Sequence, residues 1–102
     1  MKLLESINSL SSNNLSCLKS INKAIQDRLF WLEMREPDSD GSVYDSWEEK
    51  YDEFEEIAEK SSELLENINN DNYDIEISIN ELKEMICDFQ LIYGGLSRIK
   101  IV

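Results

Sequence analysis

The chain has 102 residues, 22 of them acidic and 10 basic, no histidine, and a formal net charge of −12 at pH 7. That length suits one domain with a modest core. The charge repels phosphates and anionic lipid headgroups, which argues against direct nucleic-acid or membrane binding and leaves basic protein surfaces as targets.

Hydrophobic residues make up 41% of the chain and only three glycines and one proline interrupt it, a composition that favours helix over disorder. The opening Met1-Lys2-Leu3-Leu4-Glu5 meets charge too early for a signal peptide, and no apolar run approaches membrane-spanning length. A cytoplasmic location is expected. Leu4, Ile7, Leu18, Ile21, Ile25, Leu29 and Leu32 then recur at helical spacing and predict a helix over about 2–35. Ser11-Ser12-Asn13-Asn14 interrupts that stripe, so a break at 11–14 is the alternative to one continuous helix.

Pro37 pushes Glu36 out of helical geometry, and Pro37-Asp38-Ser39-Asp40-Gly41 combines turn formers, placing a turn at 36–42. The same run has a superficial likeness to a calcium loop, but Val43, Asp45, Trp47 and Glu49 do not complete the ligand pattern, and a plain turn is the expectation. Ser42-Val43-Tyr44-Asp45 reads as a helix start with Ser42 as the cap. The helix predicted from there, over about 43–69, carries a heptad-like seam of Tyr44, Trp47, Tyr51, Phe54, Ala58, Ser61, Leu65 and Ile68, which suits an antiparallel hairpin with the first helix. Its aromatic end should meet Leu29 and Leu32.

On the opposite face Glu48, Glu49, Asp52, Glu53, Glu55, Glu56, Glu59, Glu63 and Glu66 share about half the circumference, at about 100° per residue. Only Lys60 lies among them, with Lys50 at the edge. Like charges one turn apart are destabilising. The face is therefore either a solvated surface or an electrostatic lure whose carboxylates, about one per 5.4 Å turn, imitate a row of phosphates.

Asn69-Asn70-Asp71-Asn72 ends the second helix and begins a linker over 70–78. Tyr73, Ile75, Ile77 and Ile79 alternate with polar residues as a strand would, so an extended crossover is expected, with a short β element near 73–79 and 97–102 as the alternative. Ser78-Ile79-Asn80-Glu81 is a capping box for a third helix over about 79–93, which Gly94-Gly95 should stop ahead of a tail over 94–102. The fold class is all-α: a single domain over 1–102, an antiparallel helical hairpin with a shorter third helix, or small three-helix bundle.

Catalytic signals are sparse. Cys17 and Cys87 match no metal or redox spacing, and the lack of histidine removes both the commonest zinc ligand and a base for a thiol nucleophile. Reduced thiols, no metal and no cofactor are expected. Glu53-x-x-Glu56 and Glu81-x-x-Glu84 resemble the paired acidic motifs of all-α nucleotide pyrophosphohydrolases, which bind Mg²⁺. That resemblance departs from the pattern where Glu84 replaces an Asp, and Glu53 and Glu56 lie across the helix from the seam.

The plan of two long acidic helices and a short turn is similar to the secreted Trp-x-Gly hairpin proteins, with Trp47 near the turn, although the Trp-x-Gly itself is missing. In size, charge and Ile/Asn/Lys-rich composition the chain also resembles small phage and mobile-element proteins that inhibit bacterial defence nucleases. The resulting expectation is a non-enzymatic inhibitor or adaptor presenting Glu48, Glu49, Asp52, Glu53, Glu56 and Glu59 to a basic partner surface such as a nucleic-acid-binding groove. The rival is a structural helical module that forms a homodimer through the heptad seam or through Phe30, Trp31 and Met34, a cluster on the far side of the first helix that a third helix would otherwise cover.

Overall fold

Short polar residues that bond to nearby backbone compete with helix, and this breaks the chain early. In the computed structural model, which describes residues 1–38 and 41–101, the first predicted helix is two. Helix α1 spans Leu3–Ser9 and α2 spans Leu18–Glu33. Between them Ser11 and Asn14 exchange both backbone bonds across a tight turn, at 3.2 and 3.0 Å, and the Asn14 amide donates to the Ser9 carbonyl at 3.1 Å. Leu3, Ile7 and Leu10 nevertheless face the core beside Leu18, Ile21 and Ile25.

Helix α3 spans Ser42–Glu66. Its cap differs from expectation: Gly41, at φ 108°, holds the capping position, its carbonyl accepts from Asp45 N–H at 3.0 Å, and no side chain caps. The positive φ, which suits glycine, puts Ser42 inside the first turn. The calcium-like reading involves Ser39 and Asp40, which lie outside the described residues. The helix ends at Glu66 rather than 69, in successive Asn67 and Asn70 turns.

Seam residues Phe54, Ala58 and Ser61 are buried as predicted, and so are Ile57 and Leu64, which the seam omitted. The reason is topological. Helix α3 packs against α2 on one side and against α4 on the other, so it buries a wider stripe than one hairpin partner requires. Lys60, near Ile57 and Leu64 on the helix, reaches Glu81 of α4 at 2.6 Å.

A polar node joins α2 to α3. Asn22 Oδ1 accepts from Ser61 Oγ at 2.9 Å, while Gln26 Nε2 donates to the Ala58 carbonyl at 3.1 Å and to Ser62 Oγ at 3.0 Å. Satisfied polar groups inside an apolar interface favour one register over its slips, because each slip strands a buried donor or acceptor. At the turn end, Trp47 Nε1 donates to the Leu32 carbonyl at 3.0 Å and the ring stacks on Tyr51, with centroids 5.1 Å apart. The aromatic end therefore meets Leu32 as the pattern predicts.

Helix α4 spans Ile75–Tyr93, which corrects the extended crossover and the start at 79. Asp74 is the cap: its Oδ1 accepts from Ile77 N–H at 3.0 Å. Ile75 and Ile79 belong to an alternating pattern and to an i, i+4 pair alike. The cap selects the helical option, turning Ile79 inward and leaving Ile77 exposed. Ser78, read as the cap of this helix, is instead buried within it.

Gly94 at φ 70° and Gly95 at φ 85° end α4 as expected, and Leu96–Arg98 forms a 3₁₀ turn whose Leu96 is buried. The tail does pair as a β element, but with the start of the chain. Leu3 N–H donates to the Ile99 carbonyl at 2.9 Å and Ile101 N–H to the Met1 carbonyl at 2.7 Å, around an antiparallel Lys2–Lys100 bridge. The fold is all-α around one core, apart from that bridge and the one within the Ser11–Asn14 turn, among the described residues. No described helix is long and apolar enough to cross a membrane.

A candidate acidic interface

Because α3 spends one face on α2 and α4, its remaining residues must face outward, and these are the carboxylates. Glu48, Glu49, Asp52, Glu53, Glu56 and Glu59 are all exposed, as are Glu63 and Glu66, with Glu55 half-buried. Over a 25-residue helix the face recurs once per turn of about 5.4 Å. None of the six lies within ion-pair distance of a cation, the ion pairs among the described residues being Lys23–Asp27 and Lys60–Glu81.

Lys60 is the cation that could dilute this face, and it is committed elsewhere. Its bond to Glu81 raises its pKa against the opposing effect of burial. Tyr93 of α4 feels the face from a distance: burial first, then the charges of Glu49 and Glu53, hold its hydroxyl above the ordinary tyrosine value. Two further tyrosines are raised at the turn end, Tyr51 chiefly by its 2.6 Å bond to Glu33 and Tyr44 by burial followed by its 3.3 Å bond to Glu36.

Along the α2 side of the face runs an open groove of about 390 Å³, lined by Gln26, Leu29, Ala58 and Ser62 on its floor and by Glu55, Glu59, Glu63 and Glu66. The sequence pattern does not show this groove, since it needs the position of α2. The groove extends the carboxylate surface toward the hairpin seam. Its carboxylates can accept cationic side chains while Leu29 and Ala58 cover their stems.

The motif Glu53-x-x-Glu56 lies exposed on α3, and Glu84 lies exposed on α4 beside Glu81, which holds Lys60. No group of three or more acidic or cysteine side chains is arranged to hold a metal ion among the described residues. Cys17 and Cys87 are free thiols, the first half-buried and the second exposed.

The cluster Phe30, Trp31 and Met34 is not covered by the third helix, because α4 lies along α3 instead. Phe30 is 61% exposed and Met34 69%. Trp31 is clasped between two guanidinium groups, Arg28 at 4.0 Å and Arg35 at 3.7 Å from the ring centroid. Burial, then the charge of Arg35, lowers the Arg28 pKa. When compared with known proteins, the chain matches no protein-family model, no curated protein and no solved structure.

Proposed function

We propose that this chain is a non-enzymatic inhibitor or adaptor whose α3 carboxylates, Glu48, Glu49, Asp52, Glu53, Glu56 and Glu59, dock on a basic surface of a protein partner. The observation that carries the reading is that none of these six carboxylates, on a helix of 25 residues, forms an ion pair among the described residues. Like charges at i, i+4 cost stability, and the chain has a cation in place, Lys60, that is bonded to α4 instead. A row of carboxylates at helical pitch supports fast, salt-sensitive association with a positive cleft. A nucleic-acid-binding groove is such a cleft, and the protein would occupy it in the manner of the small phage proteins its composition resembles.

The reading predicts competition. A basic partner retained on the immobilised chain should be eluted by excess duplex DNA, because both anions seek the same cations. A partner that binds DNA and this chain together, with no loss of either, would overturn the groove-occupying reading. Retention by a variant with the six carboxylates changed to lysine would overturn the acidic face altogether.

A further inference from the structure

On a chain of net charge −12, two guanidinium groups without a carboxylate among the described residues need explaining. Neither Arg28 nor Arg35 forms an ion pair among the described residues. The neighbouring acids are turned away: Glu33 accepts from Tyr51 and Glu36 from Tyr44. Among the described residues Arg35 donates to the Trp31 carbonyl, at 3.4 Å. Arg28, Phe30 and Trp31 near the end of α2, with Met34 and Arg35 in the turn that continues it, lie on one side of the chain at about 100° per residue. Beside them a cleft of about 210 Å³ opens between α2 and the tail, lined by Ala24, Asp27, Arg28, Trp31, Ile99 and Lys100. Asp27, its one acid, is paired with Lys23.

We propose that this face is a second docking surface, opposite in sign to the α3 face, and that it takes an acidic amphipathic helix of a partner protein. Phe30 and Met34 offer apolar contact, the edge of Trp31 left open by the two guanidinium groups a rigid aromatic one, and Arg28, Arg35 and Lys100, which form no ion pair among the described residues, positive charge for carboxylates flanking the partner's apolar residues. The net charge of the chain selects among anions. A short acidic segment brings few charges to a local patch, whereas a nucleic acid or an anionic bilayer brings a field that the α3 face repels. A second copy brings −12 of its own. The surface goes beyond the acidic-face reading and stands if that reading fails.

The probe is a synthetic amphipathic helix of about four turns with Leu on one face and Glu beside it, compared with the same peptide carrying Lys for Glu. Titration of the whole chain, followed by the Trp31 indole and arginine side-chain NMR signals, should show the Glu peptide binding on this face. Arg35→Glu, an exposed change, should weaken it about ten- to a hundredfold, the worth of one or more charged hydrogen bonds. Phe30→Ser with Met34→Ser should weaken it comparably, and lysine substitution of the six α3 carboxylates should not weaken it. Lys-peptide binding confined to the α3 face does not bear on the proposal, whereas equal perturbation of the Trp31 and arginine signals by the Glu and Lys peptides, or by neither, overturns it. So does preferential binding of oligothymidylate or phosphatidylserine vesicles at Trp31, or a dimer by light scattering that buries Phe30 and Met34.

Discussion

Neutralising the six carboxylates of α3 should make the protein more stable. Glu48–Asp52, Glu49–Glu53 and Asp52–Glu56 stand four residues apart, and Glu49–Asp52, Glu53–Glu56 and Glu56–Glu59 three apart, each a like-charged neighbour pair on an exposed helix face. Such pairs cost about 0.2–0.5 kcal/mol each, so Gln at the five glutamates and Asn at Asp52 should return on the order of 1–3 kcal/mol at low salt. Helix propensity barely changes between Glu and Gln or between Asp and Asn, which isolates the charge. For a domain of this size the melting temperature should rise by roughly 4–8 °C per kcal/mol. Thermal unfolding followed by circular dichroism, at about 0.02 M and about 0.5 M salt, reads both the gain and its screening. A variant no more stable than the parent at low salt, or a gain that salt does not shrink, would refute the claim that these groups lack partners within the fold.

Three other outcomes follow from the packing. Phe54→Ala removes a side chain 1% exposed that meets Phe89 edge-on at 5.2 Å, and should cost about 3–5 kcal/mol in urea denaturation; a loss under about 1 kcal/mol would contradict the α3–α4 interface. Asn22→Ala strands the hydroxyl of fully buried Ser61 and should cost about 1–3 kcal/mol, whereas a neutral effect would mean the polar node is not formed. The raised pKa of Tyr51 makes stability pH-dependent on the alkaline side. The unfolded tyrosine releases its proton near the ordinary tyrosine value of 10.0 while the folded one, bonded to Glu33, does not, so stability is intact below that pH and falls above it. Melts from about pH 8 to about pH 11 should show the fall, and Tyr51→Phe should lessen it; a tyrosine absorbance titration with every phenol at its ordinary value would contradict it.

Much of this architecture is visible in local chemistry. Pro37 lies just past the end of α2, which stops at Glu33 rather than 35, the glycines at 94 and 95 mark the end of α4, and the Phe54–Ala58–Ser61 repeat marks a buried seam. What local chemistry hides is which of two compatible periods prevails. Ile75 and Ile79 satisfy both a strand and a helix, and the deciding residue was Asp74, whose cap lies just ahead of the pattern. Ile57 and Leu64 are core only because α3 has neighbours on two sides, a tertiary fact. Likewise the carboxylate face is legible from spacing, but the groove beside it and the clasp of Arg28 and Arg35 on Trp31 need the placed helices and tail.

The acidic face is tested most directly by the salt dependence of partner affinity, measured for the parent chain and for a variant carrying lysine at positions 48, 49, 52, 53, 56 and 59. Affinity should drop at least about tenfold between about 0.05 M and about 0.5 M salt and vanish in the variant, as screened surface charge requires. Affinity that holds steady across that range, and persists after the reversal, would contradict the account.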